Sequence, residues 1–196
     1  MISDKEIKII ESNIRNYERE GYFKKGNYNH LTEFYLKNAK KTFQTADALL
    51  QISENVDIKK RLGLLDDFET YLWVVTSSYY SMFYMVNALL SEKGYKLGDK
   101  IVHKVASDVF YFYFVKNNKI ARELFDIYEE AKGDALDLIN YSEQAQKLFQ
   151  DLENEREKRR RFQYDMTENI KKGYAETSLK RAKDFFNAIE ILIKAK

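Results

Sequence analysis

Apolar residues recur along the chain at intervals of three and four positions, the spacing that aligns one face of an α-helix. Phe34, Leu36, Ala39, Phe43, Ala46 and Leu50 make such a stripe and predict a helix over about residues 31–53. Tyr80, Phe83, Tyr84, Val86, Leu89 and Leu90 make a broader one, in a helix predicted to open near Asp66 and Glu69 and to stop at Gly94. A third stripe, Leu179, Ala182, Phe186, Ile189 and Ile193, predicts a last helix from about Thr177. Ser3 and Glu6 stand in the S-x-x-E order of a capping box, which predicts a first helix to about Glu20. Residues 54–65 read as a connecting loop. Gly98 and Asp99 precede a helix predicted over 100–116, and Asn117 and Asn118 turn the chain into another over 119–132, ended by Gly133. A short helical segment over 134–141 and a charged helix over 142–172, ended by Gly173, complete the series. Strand-like alternation competes nowhere with these patterns. The expected class is all-α, a helical bundle.

Composition sharpens this. There is no proline among the 196 residues, as befits a chain built of helices, since proline lacks the amide donor a helix interior needs. A chain of this length is expected to bury most of its apolar surface in one core. The absence of cysteine excludes disulfides, thiolate metal sites and cysteine nucleophiles. No apolar run approaches the roughly 18 residues of a membrane span, and the charged N-terminus does not read as a signal peptide, so a cytoplasmic location without membrane contact is expected. The net charge is +2, so any affinity for nucleic acid must come from a local basic patch.

Three segments carry a family resemblance. Ser77 to Gly94, SSYYSMFYMVNALLSEKG, is similar to the central helix of HEPN-domain proteins, in the branch reading S-x-A-Y-Y-A-M-F-x-x-x-x-A-L-L-x-x-K-G. Arg159 to Asp165, RRRFQYD, resembles that branch's R-x-x-A-D-Y signature. Val102 to Val115, VHKVASDVFYFYFV, resembles its S-H-x-x-x-x-x-x-F helix. The match runs from about residue 30 to the end. It implies an up-and-down HEPN-like bundle over 30–196, with residues 1–29 as an added N-terminal helix and connector. It also implies a homodimer in which the arginine motifs of both protomers face one cleft. The function implied is that of an RNA- or nucleotide-binding module of a toxin-antitoxin or defence-type system, non-catalytic or weakly active, working with a nucleotidyltransferase-like partner. A metal-independent endoribonuclease and a structural dimeric scaffold are the alternatives.

In ribonucleolytic members of that family an arginine contacts the scissile phosphate, and a histidine four to six residues later does acid-base work on the ribose 2′-hydroxyl. Here four residues separate Arg159 from Tyr164, so a phenol stands where the family has an imidazole. Imidazole titrates near 6.5, whereas a phenol titrates near 10 and is a poor base at neutral pH. Tyr164 remains a capable hydrogen-bond donor to phosphate. The acidic residue that the branch keeps before its tyrosine is Gln163 here, and the position of the modified tyrosine of some HEPN toxins is Met166. His103 is the candidate for the missing acid-base group, if its helix adjoins the Arg159 region. His30 reads as structural.

Each candidate has a plainer reading beside it. Arg159 and Tyr164 suit a surface ion pair and a packing tyrosine as well as a phosphate clamp. Lys158, Arg159, Arg160 and Arg161 form the best nucleic-acid candidate, yet Glu155 and Glu157 precede Arg159 and Arg161 by four positions, as on a solvated helix face. Phe110 to Phe114 and the Tyr79 to Tyr84 aromatics suit core and subunit interface better than base stacking. No metal site and no cofactor are expected, because two histidines without cysteine offer no ligand set.

Overall fold

The computed structural model describes residues 4–116, 120, 122–151 and 168–194, with side chains over 7–116, 120, 122–136 and 171–194. Its helices are α1 (Asp4–Arg19), α2 (Thr32–Glu54), α3 (Val56–Arg61), α4 (Tyr71–Glu92), α5 (Val102–Phe110), α6 (Arg122–Asp151) and α7 (Glu168–Lys194). The all-α expectation holds.

α4 is the axis of the bundle. It is apolar around most of its circumference and packs against α2, α6 and α7, the behaviour of a helix enclosed on all sides. The Glu69 carboxylate accepts the Tyr71 amide at 2.8 Å and so caps the helix start. On α2 the buried positions are Thr32, Ala39, Ala46 and Ser53, seven residues apart, with small side chains that let α4 come close. Ser81 Oγ donates to the Ala39 carbonyl at 3.0 Å across that contact. Phe34, expected on the apolar stripe, is 59% exposed, because the close helix contact follows the small residues and turns Phe34 outward.

Several predicted boundaries move. The 54–65 loop contains α3, which Asn55 Oδ1 caps by accepting the Asp57 and Ile58 amides at 3.0 and 3.1 Å. Gly133 and Gly173 end nothing: α6 and α7 run through them. A glycine costs a helix interior only about 1 kcal/mol, less than the packing its neighbours contribute, here buried Ala131, Ala135 and Ala175. The helix predicted from Lys100 begins at Val102, after Ile101 in a left-handed conformation (φ 43°) that a β-branched residue rarely adopts.

A two-stranded ribbon was not foreseen. β1 (Phe23–Lys25) pairs antiparallel with β2 (Tyr95–Leu97), with Phe23 opposite Leu97 and Lys25 opposite Tyr95. Strands of three residues are too short for alternation to register in sequence. Glycine makes the approach possible at Gly94 (φ 83°), where a Cβ would lie 2.7 Å from the Gly26 carbonyl oxygen.

The aromatic run after α5 is absorbed by the chain itself. Tyr111–Val115 form a π-helical turn, with the Lys116 amide on the Tyr111 carbonyl at 2.9 Å. Phe110, Tyr111 and Phe114 enter the core, while Tyr113 lies against Tyr95 and Phe23 of the ribbon, at 4.5 and 5.7 Å between ring centroids. The ribbon supplies a second packing surface for these rings within the chain. From α1, Ile10, Ile14 and Tyr17 join the same core as α4.

Candidate functional site

Lys158, Arg159, Arg160, Arg161 and Tyr164 lie outside the described residues, in the stretch of sequence between α6 and α7. His103 is described. It stands in the first turn of α5, half-buried, with its Nδ1 2.7 Å from the Tyr79 hydroxyl of α4. Tyr79, Tyr80 and Phe83, all on α4, surround the ring at centroid distances of 5.5, 5.6 and 4.7 Å. These four positions meet because consecutive turns of α4 present Tyr79, Tyr80 and Phe83 toward the start of α5.

Polar groups of α6 reach the same junction. Lys132 Nζ donates to Ser107 Oγ of α5 at 2.7 Å and to Glu129 Oε2 at 2.6 Å. Ser107 donates to the His103 carbonyl at 3.1 Å. Tyr128 is fully buried, 6.0 Å from the Tyr79 ring and stacked on Phe185 of α7 at 5.6 Å. Its hydroxyl has no partner of full hydrogen-bond geometry, and the hydroxyls of Tyr79 and Ser107 are its polar neighbours. A buried hydroxyl left without a partner inside a core of aromatics is costly, which marks this junction as the candidate site among the described residues.

Its electrostatics follow from burial. Burial first, and then the Lys132 cation, hold His103 below the ordinary imidazole value, so the ring is neutral at pH 7. Burial pushes the Tyr79 phenol well above its usual range, and Tyr128 likewise, with Tyr79 adding to the effect. Both phenols are therefore donors and acceptors at neutral pH, never bases. The site offers a neutral imidazole and hydroxyls fixed on one side by a packed core.

A buried carboxylate escaped sequence reading. Asp108 of α5 accepts from Tyr17 Oη at 2.8 Å and Asn13 Nδ2 at 3.1 Å, both on α1. Lys104 Nζ lies 3.8 Å away. Nothing local in the sequence pairs residues this far apart. The position of Tyr79, one helical turn before Phe83 and thus on the face toward α5, was the available signal for the His103 partner.

The comparisons with known proteins are few. A protein named "Putative toxin MJ0142", from Methanocaldococcus jannaschii, is 31% identical to this chain over 153 residues, covering 78% of the chain and 80% of that protein. No family model matches the chain. No solved structure matches it either.

Proposed function

Because the chain belongs to the family of that Methanocaldococcus jannaschii protein, we propose that it is the RNA- or nucleotide-binding component of a toxin-type system, with a HEPN-like bundle as its scaffold. The relative's name and its coverage of most of both chains support the toxin-type part of this reading. The resemblance of Ser77–Gly94 and Arg159–Asp165 to HEPN segments gives it its chemistry. In this proposal Arg159 clamps a phosphate, Lys158, Arg160 and Arg161 add local positive charge, and Tyr164 donates a hydrogen bond. Two copies of the chain bring their arginines to one cleft, and a nucleotidyltransferase-like protein is the partner. Tyr164 in place of histidine favours binding over cleavage, since a phenol titrating near 10 takes no proton from a ribose hydroxyl at neutral pH.

The test is binding and cleavage of labelled RNA in chelator, with the parent, Arg159→Ala and Tyr164→Phe side by side. Binding by the parent, weakened about tenfold or more in Arg159→Ala and without cleavage, supports the proposal. Cleavage lost in both variants replaces it by a metal-independent ribonuclease. Absence of RNA and nucleotide binding leaves the structural scaffold.

A further inference from the structure

We propose that Tyr79 is a positioning residue that holds His103 in the tautomer with hydrogen on Nε2, so that this ring offers a donor to a phosphate oxygen and not a base. The ligand in this statement rests on the nucleic-acid reading above; the tautomer does not.

The direction of the Tyr79–His103 hydrogen bond follows from the groups around it. Lys132 can only donate, and it fills one lone pair of Ser107 Oγ at 2.7 Å. The Ser107 hydrogen is committed to the His103 carbonyl at 3.1 Å. The Tyr128 hydroxyl is sealed in the core with no hydrogen-bond partner among the described residues, so neither it nor Ser107 donates to Tyr79. Between a phenol and a neutral imidazole, the phenol O–H is the stronger donor and the unprotonated ring nitrogen the stronger acceptor. The buried Tyr79 hydrogen therefore goes to His103 Nδ1, 2.7 Å away. An Nδ1 that accepts, in a ring that burial keeps neutral, leaves the hydrogen on Nε2. No protein group among the described residues bonds Nε2. The reverse order, with Nδ1–H donating to Tyr79, would leave the buried Tyr79 hydrogen without an acceptor among the described residues.

The chain has two histidines, which makes the question direct to measure. Long-range proton–nitrogen correlation of the imidazole rings at pH 7, with His30→Asn to assign the signals, reads the tautomer. The expected result is a single neutral form of His103 with Nε2 protonated, converting to a mixture in Tyr79→Phe. A parent ring protonated on Nδ1, or an imidazolium at pH 7, overturns the inference without any variant. An unchanged tautomer in a folded Tyr79→Phe also overturns it. Adding a short single-stranded RNA is expected to shift the Nε2–H signal, and His103→Ala to weaken RNA binding about tenfold. RNA that binds, by fluorescence anisotropy, without moving that signal refutes the donor role. RNA that does not bind at all refutes the functional reading, and the donor role with it, while the tautomer assignment still stands or falls on the spectrum.

Discussion

The hydroxyl of Tyr17 donates to Asp108 Oδ2 at 2.8 Å, joining the first helix to α5 across 91 positions of sequence. The bond is buried, and Asn13 shares the same carboxylate oxygen. A hydrogen bond to a charged, buried acceptor contributes about 1.5–3 kcal/mol, since losing it leaves a carboxylate in a poor solvent.

Tyr17→Phe is therefore expected to lower stability by about 1.5–3 kcal/mol, read as a lower urea midpoint with an unchanged slope. Asp108→Asn, which keeps an acceptor at that place, is expected to cost less than Asp108→Ala. Equal losses in the two Asp108 variants would mean that the carboxylate merely fills space.

Glycines of two kinds should respond with opposite signs. Gly94→Ala places a Cβ 2.7 Å from the Gly26 carbonyl at a φ of 83°, and is expected to destabilise by more than about 1 kcal/mol. Gly133 and Gly173 lie inside helices with nothing within 4 Å of an added Cβ, so Gly133→Ala and Gly173→Ala are expected to stabilise by about 0.5–1 kcal/mol each. Thermal unfolding decides it: a loss in the last two would restore the helix breaks that the sequence pattern predicts.

His103 makes stability fall on the acid side. Its folded value is lowered by burial and by Lys132, while the unfolded chain takes the ordinary value of about 6.5. As pH drops through about 6.5 the unfolded state binds a proton that the folded state resists, so the folded form loses ground. His103→Gln is expected to flatten the change in urea midpoint between about pH 7.5 and 5.5; parallel curves for parent and variant would contradict this.

The alkaline side belongs to the tyrosines. Tyr17, Tyr79 and Tyr128 are raised above the ordinary phenol value, each chiefly by burial. Their contribution is complete below about pH 10 and is lost as pH rises beyond it, because the unfolded chain ionises first. Part of the tyrosinate absorbance is expected to appear only together with loss of the helical circular dichroism signal. Ionisation of every tyrosine near pH 10 with the helices intact would count against the burial of these rings.

The fold class could be read before any coordinates because helix period and burial are local properties: residues three and four apart share a face wherever the helix lies. The enclosed position of α4 follows from its own apolar breadth, and its stop at Gly94 from a backbone angle that glycine adopts freely. Other features depend on what a distant segment supplies. The exposure of Phe34 was decided by small residues on α2 meeting Ser81, and the continuity of α6 and α7 by packing that outweighs a glycine. The ribbon at Phe23 and Tyr95, and the cover it gives Tyr113, exist only once the ends of α1 and α4 come together. His103 was visible as a candidate through its family-like surroundings, but its chemistry was not. Tyr79, Tyr80 and Phe83 meet it by helix packing, and the burial they bring, with the Lys132 cation, sets the charge of its ring.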